Sequence, residues 1–239
     1  MATDLFKPEL IPELVVKIGK SFPVTFLLAV CSLALGLTFA FGVAAAGLCR
    51  CKPLNVLSRG YVHFIRGIPS LILIYLLYLG FPQLMKNAFG IDMSRVPKSV
   101  YLVWIFAIAV SANFAELMRS AYAAVAKGQR EAALACGMTG AQAFRRVVFP
   151  QAFGVALPSL GNLVIMLFKL TSLGFIVGVV DLMGKAKILS ARTYGSRRLE
   201  VYLALAMIYW VLCFGLERLN AALVKRYTRG RREMGGAGI

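Results

Sequence analysis

Acidic residues are scarce in this chain. Asp and Glu together number 10 among 239 residues, against 27 Lys and Arg, and charged residues of both signs make up only 15%. A soluble globular domain carries roughly one-quarter charged residues. The shortfall argues against a soluble enzyme domain and for a membrane protein. Histidine occurs once, at His63. One histidine limits metal clusters and nucleophile–base pairs, and no constellation of either kind is visible, so enzymatic chemistry is not expected. The cysteines, Cys31, Cys49, Cys51, Cys136 and Cys213, are scattered. Cys49 and Cys51 form a C-x-C without a second pair, and the cysteines inside apolar runs read as small hydrophobes. The first twenty residues lack the basic start and small-residue cleavage site of a signal peptide, and carry Asp4, Glu9 and Glu13 instead.

What fills the chain is apolar sequence, 59% hydrophobic with a mean hydropathy of +0.76. Charges delimit the runs. Phe22–Leu48 holds none over 27 residues, enough to cross about 30 Å of hydrocarbon at a tilt. Four more spans are predicted: Gly67–Met85, Ser99–Ala115 continuing to about Tyr122, Val147–Phe168, and Val201–Leu216 extended to about Val224. Leu170–Val180 is apolar but has only 11 residues. It is too short to span and is expected to be a half-helix or re-entrant segment.

The sequence thus predicts an all-α integral membrane protein of five transmembrane helices plus that short segment. Residues 1–21 form an extracytoplasmic N-terminal segment, 22–224 the transmembrane domain, and 225–239 a basic cytoplasmic tail. The net charge of +17 would suggest nucleic acid on a soluble protein. Here the basic residues lie between apolar runs, so anionic lipid and orientation explain them and no nucleic acid is expected. With the C-terminus inside, the cytoplasmic segments hold 15 Lys and Arg against 11 outside. The cluster Lys225, Arg226, Arg229, Arg231 and Arg232 closely follows the last span. The expected topology is N-terminus outside, C-terminus cytoplasmic.

That topology puts a polar stretch, Gly128–Ala152, in the cytoplasm between the third and fourth spans. Glu131-Ala132-Ala133-Leu134-Ala135 is a strong helix former, and Gly137 stands where a helix C-cap needs a left-handed residue. A second helix is expected from about Thr139 to Phe149, with Phe144, Val147 and Val148 toward one side. Pro150 marks the return to the membrane. Such a short helix suits docking into a groove on another protein; a solvated loop with lipid-facing arginines fits the spacing too.

The stretch resembles the EAA loop of ABC-importer permeases: Glu131-Ala132-Ala133, then Gly137, then Phe149-Pro150. Its flanks, Lys127-Gly128-Gln129, Arg130, Gly137-Met138 and Arg145-Arg146-Val147, look like the permeases for polar amino acids. Further family patterns match at Phe64–Pro69, at Ala115-Glu116-Leu117-Met118-Arg119, at Leu157-Pro158 with Gly161-Asn162, and at Thr171-Ser172-Leu173. Together they cover roughly residues 18–224, and the ordered set is more specific than any one member.

The resemblance implies a type I importer permease fold in a bacterial inner membrane, with cytoplasmic coupling helices. It also implies a second permease subunit, identical or homologous, two ABC ATPase subunits and an extracytoplasmic solute-binding protein. Arg130, Glu131, Ala132, Ala133, Gly137 and Met138 would then contact the ATPases, with Glu131 paired to a cation there. ATP and Mg²⁺ would be bound by those partners, with no cofactor in this chain. The nearest approach to a P-loop, Gly178–Ala186, has the wrong glycine spacing and Ala186 where a magnesium-binding hydroxyl should be.

Polar groups inside spans are costly and mark candidate solute contacts. These are Ser111, Asn113 and Glu116 on the third span, Asn162 on the fourth, and Thr171 and Ser172 at the break. Glu116 could equally pair with Arg119 three residues on, Lys169 is read as snorkelling outward, and Thr171 and Ser172 could simply satisfy backbone. Leu170 stands where many relatives have Asp or Asn, which argues against a strongly cationic substrate. Asp181–Lys187 and Tyr209-Trp210 look most like the branch importing cystine and related sulfur compounds. An ATP-independent carrier or channel for small polar solutes is the alternative function.

Overall fold

The computed structural model describes residues 6–49 and 51–235, the last seven as backbone. Readings above that used Asp4, Arg50 or the side chains of Arg229, Arg231 and Arg232 lie outside the described residues and side chains. Every regular element among the described residues is helical, and five helical stretches are long and apolar enough to cross a membrane.

After a 3₁₀ turn at Pro8–Leu10, α1 (Ile11–Gly19) is a short amphipathic helix. The first span, α2 (Phe22–Leu48), begins with Pro23 in its first turn, where a missing N–H costs nothing, and contains no other proline. α3 (Lys52–Gly67) is amphipathic, buries Ser58, Val62 and Ile65, and leads to the second span. Ile68, preceding Pro69, is extended (φ −96°, ψ 130°), as steric conflict with the proline ring requires.

The second span runs Ser70–Phe89, beginning and ending a few residues later than the sequence suggests. It consists of α4 (Ser70–Tyr75), a π-turn (Leu76–Gly80) and α5 (Phe81–Phe89). Pro82 sits two residues past the π-turn. A proline lacks a donor and crowds the carbonyl four residues back, and the wider π-turn absorbs both defects. The same device recurs at Phe144–Val148 before Pro150, so neither proline ends its helix.

The third span, α6 (Lys98–Ala123), is central: 56% of its apolar window is buried, against 11% for the second span. Its main partner is α2. Leu28, Leu102, Phe106, Val110 and Leu167 anchor the largest core cluster. α7 (Lys127–Ala135) and α8 (Gly140–Ala143) follow, and α8 continues through the π-turn into the fourth span, α9 (Phe149–Thr171).

The short segment predicted at Leu170–Val180 is present in a different form. Leu170 and Thr171 close α9, Ser172–Val177 tightens into a 3₁₀ turn, and Gly178 (φ +86°) stops it. It is therefore the narrowed end of the fourth span rather than a separate half-helix, because Thr171 and Ser172 carry the helical path onward.

The loop expected before the last span contains α10 (Leu182–Arg192). α11 (Arg198–Gly235) then forms the fifth span and extends beyond it. Ile18 of α1, Leu182 and Ala186 of α10, and Val201, Ala204 and Leu205 of α11 form a second core. The N-terminal segment is thus packed onto the bundle. The fully buried Glu200 reinforces it, accepting from the Lys7 backbone N–H (2.9 Å) and pairing with Arg197 (3.3 Å).

Candidate coupling hairpin and polar groups of the spans

The hairpin between the third and fourth spans is closed by local backbone chemistry. α7 ends in a Schellman motif: the Met138 N–H donates to the Ala133 carbonyl (3.2 Å) and the Gly137 N–H to the Leu134 carbonyl (3.0 Å). Gly137 has φ +79°, the left-handed conformation this motif needs. The chain restarts at once with a capping box, in which Thr139 Oγ1 accepts from the Gln142 N–H and Gln142 Oε1 accepts from the Thr139 N–H.

The hairpin is fixed to three spans. Ala133, Ala143 and Val148 are buried. A run of rings, Tyr122, Phe144, Phe149, Phe153 and Tyr227, connects the ends of α6, α9 and α11 with successive centroids 5.5–6.2 Å apart. The Tyr227 hydroxyl donates to the Pro150 carbonyl at 2.7 Å. Sequence reading missed this aromatic clamp; the recurrence Phe144, Phe149, Phe153 was the available signal, but Tyr227 lies too far along the chain to be linked by periodicity.

What remains outward is the face the sequence singled out. Arg130, Glu131, Ala132 and Gly137 are exposed, Met138 is half-buried and Ala133 faces inward as the packing residue. Glu131 makes no ion pair among the described residues. The arrangement is a rigid knob with a small-residue face and one unpaired carboxylate.

The polar residues of the spans do not converge on one site. Ser111 is buried and shares a hydrogen bond with the Tyr61 hydroxyl (2.6 Å) while donating to the Ile108 carbonyl (2.8 Å), joining α3 to α6. Burial pushes the Tyr61 phenol above its usual range, and the Ser111 hydrogen bond works against that. The Asn113 amide donates to the Ala109 carbonyl. Glu116 receives a two-pronged contact from Arg119 (2.6 and 2.9 Å), with Arg66 at 3.8 Å. Thr171 and Ser172 spend their hydroxyls on the Phe168 and Lys169 carbonyls. Asn162 and Lys169 are exposed. Near Asn162 the two long helices touch closely: the Asn220 side chain lies over Gly161 and its amide donates to the Pro158 carbonyl at 3.1 Å.

The P-loop-like stretch does not fit a phosphate. The Gly184 N–H is taken by Asp181 Oδ1 at 2.8 Å, and a Cβ on Gly184 would lie 2.5 Å from the Val179 carbonyl. Protein atoms fill the space a phosphate would need.

Asp181 itself was not anticipated as a buried group. It caps α10, is fully buried, and has its pKa pushed up to about 6 by desolvation, despite its backbone hydrogen bonds. The folded chain therefore holds a proton that the unfolded chain releases near 3.8. The Asp181 contribution to stability should grow as pH falls through about 6 and level off near 4, by about 3 kcal/mol in the limit. Thermal unfolding of wild type and Asp181→Asn from pH 7.5 to 4.5 checks this. The wild type should gain on the variant as pH falls, and parallel curves would contradict the assignment.

A five-span helical bundle with a clamped, exposed hairpin between its third and fourth spans has the form expected of an importer permease. Comparison with known proteins agrees. Residues 17–229 match the family of binding-protein-dependent transport system inner membrane components. The chain is 33% identical over 226 residues to the L-cystine transport system permease protein TcyL of Bacillus subtilis, covering 95% of this chain and 93% of that one. It is 37% identical over 225 residues to the probable amino-acid ABC transporter permease protein PatM of Vibrio harveyi, covering 92% and 96%. A crystal structure of an amino acid ABC transporter with histidines superposes with a TM-score of 0.80 at 30% identity, covering 95% of this chain and 100% of that one. The chain belongs to this family and is a multi-span membrane permease of the amino-acid ABC importer type, a class of subunit normally non-catalytic.

Proposed function

We propose that the chain lines the translocation path of an ATP-driven importer for a polar amino acid, with cystine or a related sulfur compound the favoured cargo. Two copies, or this chain and a homologue, would form the path. Two ATPase subunits would grip the hairpin at Arg130, Glu131, Ala132, Gly137 and Met138, and a solute-binding protein would deliver cargo on the opposite face. The N-terminus lies outside and the C-terminus in the cytoplasm. Ser111, Asn113, Glu116, Asn162, Thr171 and Ser172 remain the path candidates. ATP and Mg²⁺ belong to the partner subunits.

One observation carries this reading: the hairpin is clamped to α6, α9 and α11 while its Glu131 face stays open. A knob free to swing would dissipate motion. One bonded to three spans transmits it, so closure of the ATPases would tilt the spans together and shift a two-state equilibrium between inward and outward access. The names of the relatives support the cargo class. The sparsely buried second span leaves Leu71, Ile72, Tyr75, Leu76 and Leu79 exposed, consistent with cover from a second subunit or lipid.

The test is uptake of labelled amino acids into vesicles containing the permease with its ATPases and binding protein. Uptake should require ATP and all three components, with cystine competing most strongly. Uptake by the permease alone would favour an ATP-independent carrier.

A further inference from the structure

The cleft where α3 crosses α2 and α6 holds more cationic side chains than its one carboxylate, the path candidate Glu116, can answer. Its cavity is about 150 Å³ and is lined by Gly47, Ser58, Arg59, His63, Glu116 and Arg119 among others. Glu116 is the one carboxylate there, and the Arg119 fork engages both its oxygens, with Arg66 at 3.8 Å. The α2 carbonyls nearby are also answered: Ser58 donates to Val43 at 2.7 Å and the Asn55 amide to Gly47. Arg59 and His63 also line the cavity, and Arg59 makes no hydrogen bond or ion pair among the described residues. Arg119 and Arg66 thus already answer the one carboxylate, while Arg59 lines the same cavity with no protein acceptor.

The placement is as telling as the charge. Gly47 lies in the last turn of α2 and Arg119 in the last turns of α6, so the cleft opens at the membrane boundary on the hairpin side. The same helix that carries Arg59 leaves Val56, Leu57 and Phe64 at 69%, 70% and 60% exposure. That face suits acyl chains, while Arg59 suits a phosphate oxygen. We propose that this cleft binds the phosphate of an anionic phospholipid from the leaflet on the hairpin side, its acyl chains lying along Val56, Leu57 and Phe64. The exposed apolar face favours a lipid over a free phosphate. The proposal requires membrane placement but not ATPase docking, so the failure of one leaves the other standing.

The full-length chain in neutral detergent would be titrated with phosphatidylglycerol, phosphatidylcholine and inorganic phosphate, with binding read by native mass spectrometry and thermal midpoint. Phosphatidylglycerol should bind and stabilise; phosphatidylcholine and inorganic phosphate should do so far less. Arg59→Gln should weaken phosphatidylglycerol binding about tenfold, the loss expected of one charge-assisted hydrogen bond. Lys225→Gln, which removes an exposed cation outside the cleft, should leave it unchanged. Arg59 has no protein partner, so its substitution should not unfold the chain, and an unshifted lipid-free midpoint checks that. Equal binding of the two lipids, an Arg59→Gln titration matching wild type, an equal loss in Lys225→Gln, or a full response to inorganic phosphate would each overturn the proposal.

Discussion

Glu131→Arg is expected to reduce ATP-driven uptake by at least a hundredfold while leaving the permease folded. Glu131 is exposed and makes no ion pair among the described residues, so the chain itself loses little. The cost falls on the docked state. In the proposed docked state a carboxylate meeting a cation would become two cations in contact, and disrupting a buried pair costs about 3–5 kcal/mol, which corresponds to a loss of roughly two to four powers of ten. Two measurements separate the causes: recovery of ATPase subunits with the tagged permease, and uptake in vesicles. Both should collapse, with an unchanged thermal midpoint for the isolated permease. Full uptake by the variant would remove Glu131 from the coupling contact.

The second large effect concerns stability. Gly36 lies where α2 meets α6. A Cβ there would come 2.9 Å from Val110 Cγ1 and 3.0 Å from the Ala107 carbonyl oxygen. The second contact is with backbone and cannot be relieved by a rotamer change. Gly36→Leu must therefore part the two helices with the most extensive contact in the bundle. Overpacking typically costs about 1–3 kcal/mol, and close helix approach in membranes rests on small residues at the crossing. Gly42 is the control: it lies on the same helix and a Cβ there meets nothing within 4 Å. Gly42→Leu should be neutral or slightly stabilising because glycine is a poor helix former. Thermal unfolding in detergent should show a marked fall for Gly36→Leu alone. Equal midpoints would mean that α2 and α6 do not meet at Gly36.

The two glycines also show what a sequence pattern conveys. Both sit in one uncharged run, and nothing in hydropathy distinguishes the glycine touching α6 from the one facing outward. The limits of that run, in contrast, were plain: Phe22–Leu48 is both the uncharged stretch and the observed α2, because a charge in hydrocarbon is costly enough to mark a boundary. The second span was less accurately bounded. Pro82 near its end is absorbed by a π-turn, and the helix continues to Phe89. Hydropathy also missed α10 and the packing of α1, whose stability comes from contacts with the distant start of α11.

The hairpin was legible for a local reason. Gly137 with φ +79° and the Thr139–Gln142 capping box are decided within six residues, so residue types alone announce them. The polar candidates were not resolved by spacing. Ser111 is held by Tyr61, fifty positions away, and Glu116 is engaged by Arg119 with Arg66 nearby.

Composition and charge spacing determined a five-span helical membrane protein and a glycine-stopped hairpin, since the bilayer's intolerance of charge and the left-handed requirement of a helix stop both act through nearby residues. Tertiary structure alone decided that Tyr227 clamps the hairpin, that Asp181 and Glu200 are buried, and that Arg59 lines a cleft with no acceptor, since each depends on which distant helix comes to lie beside it.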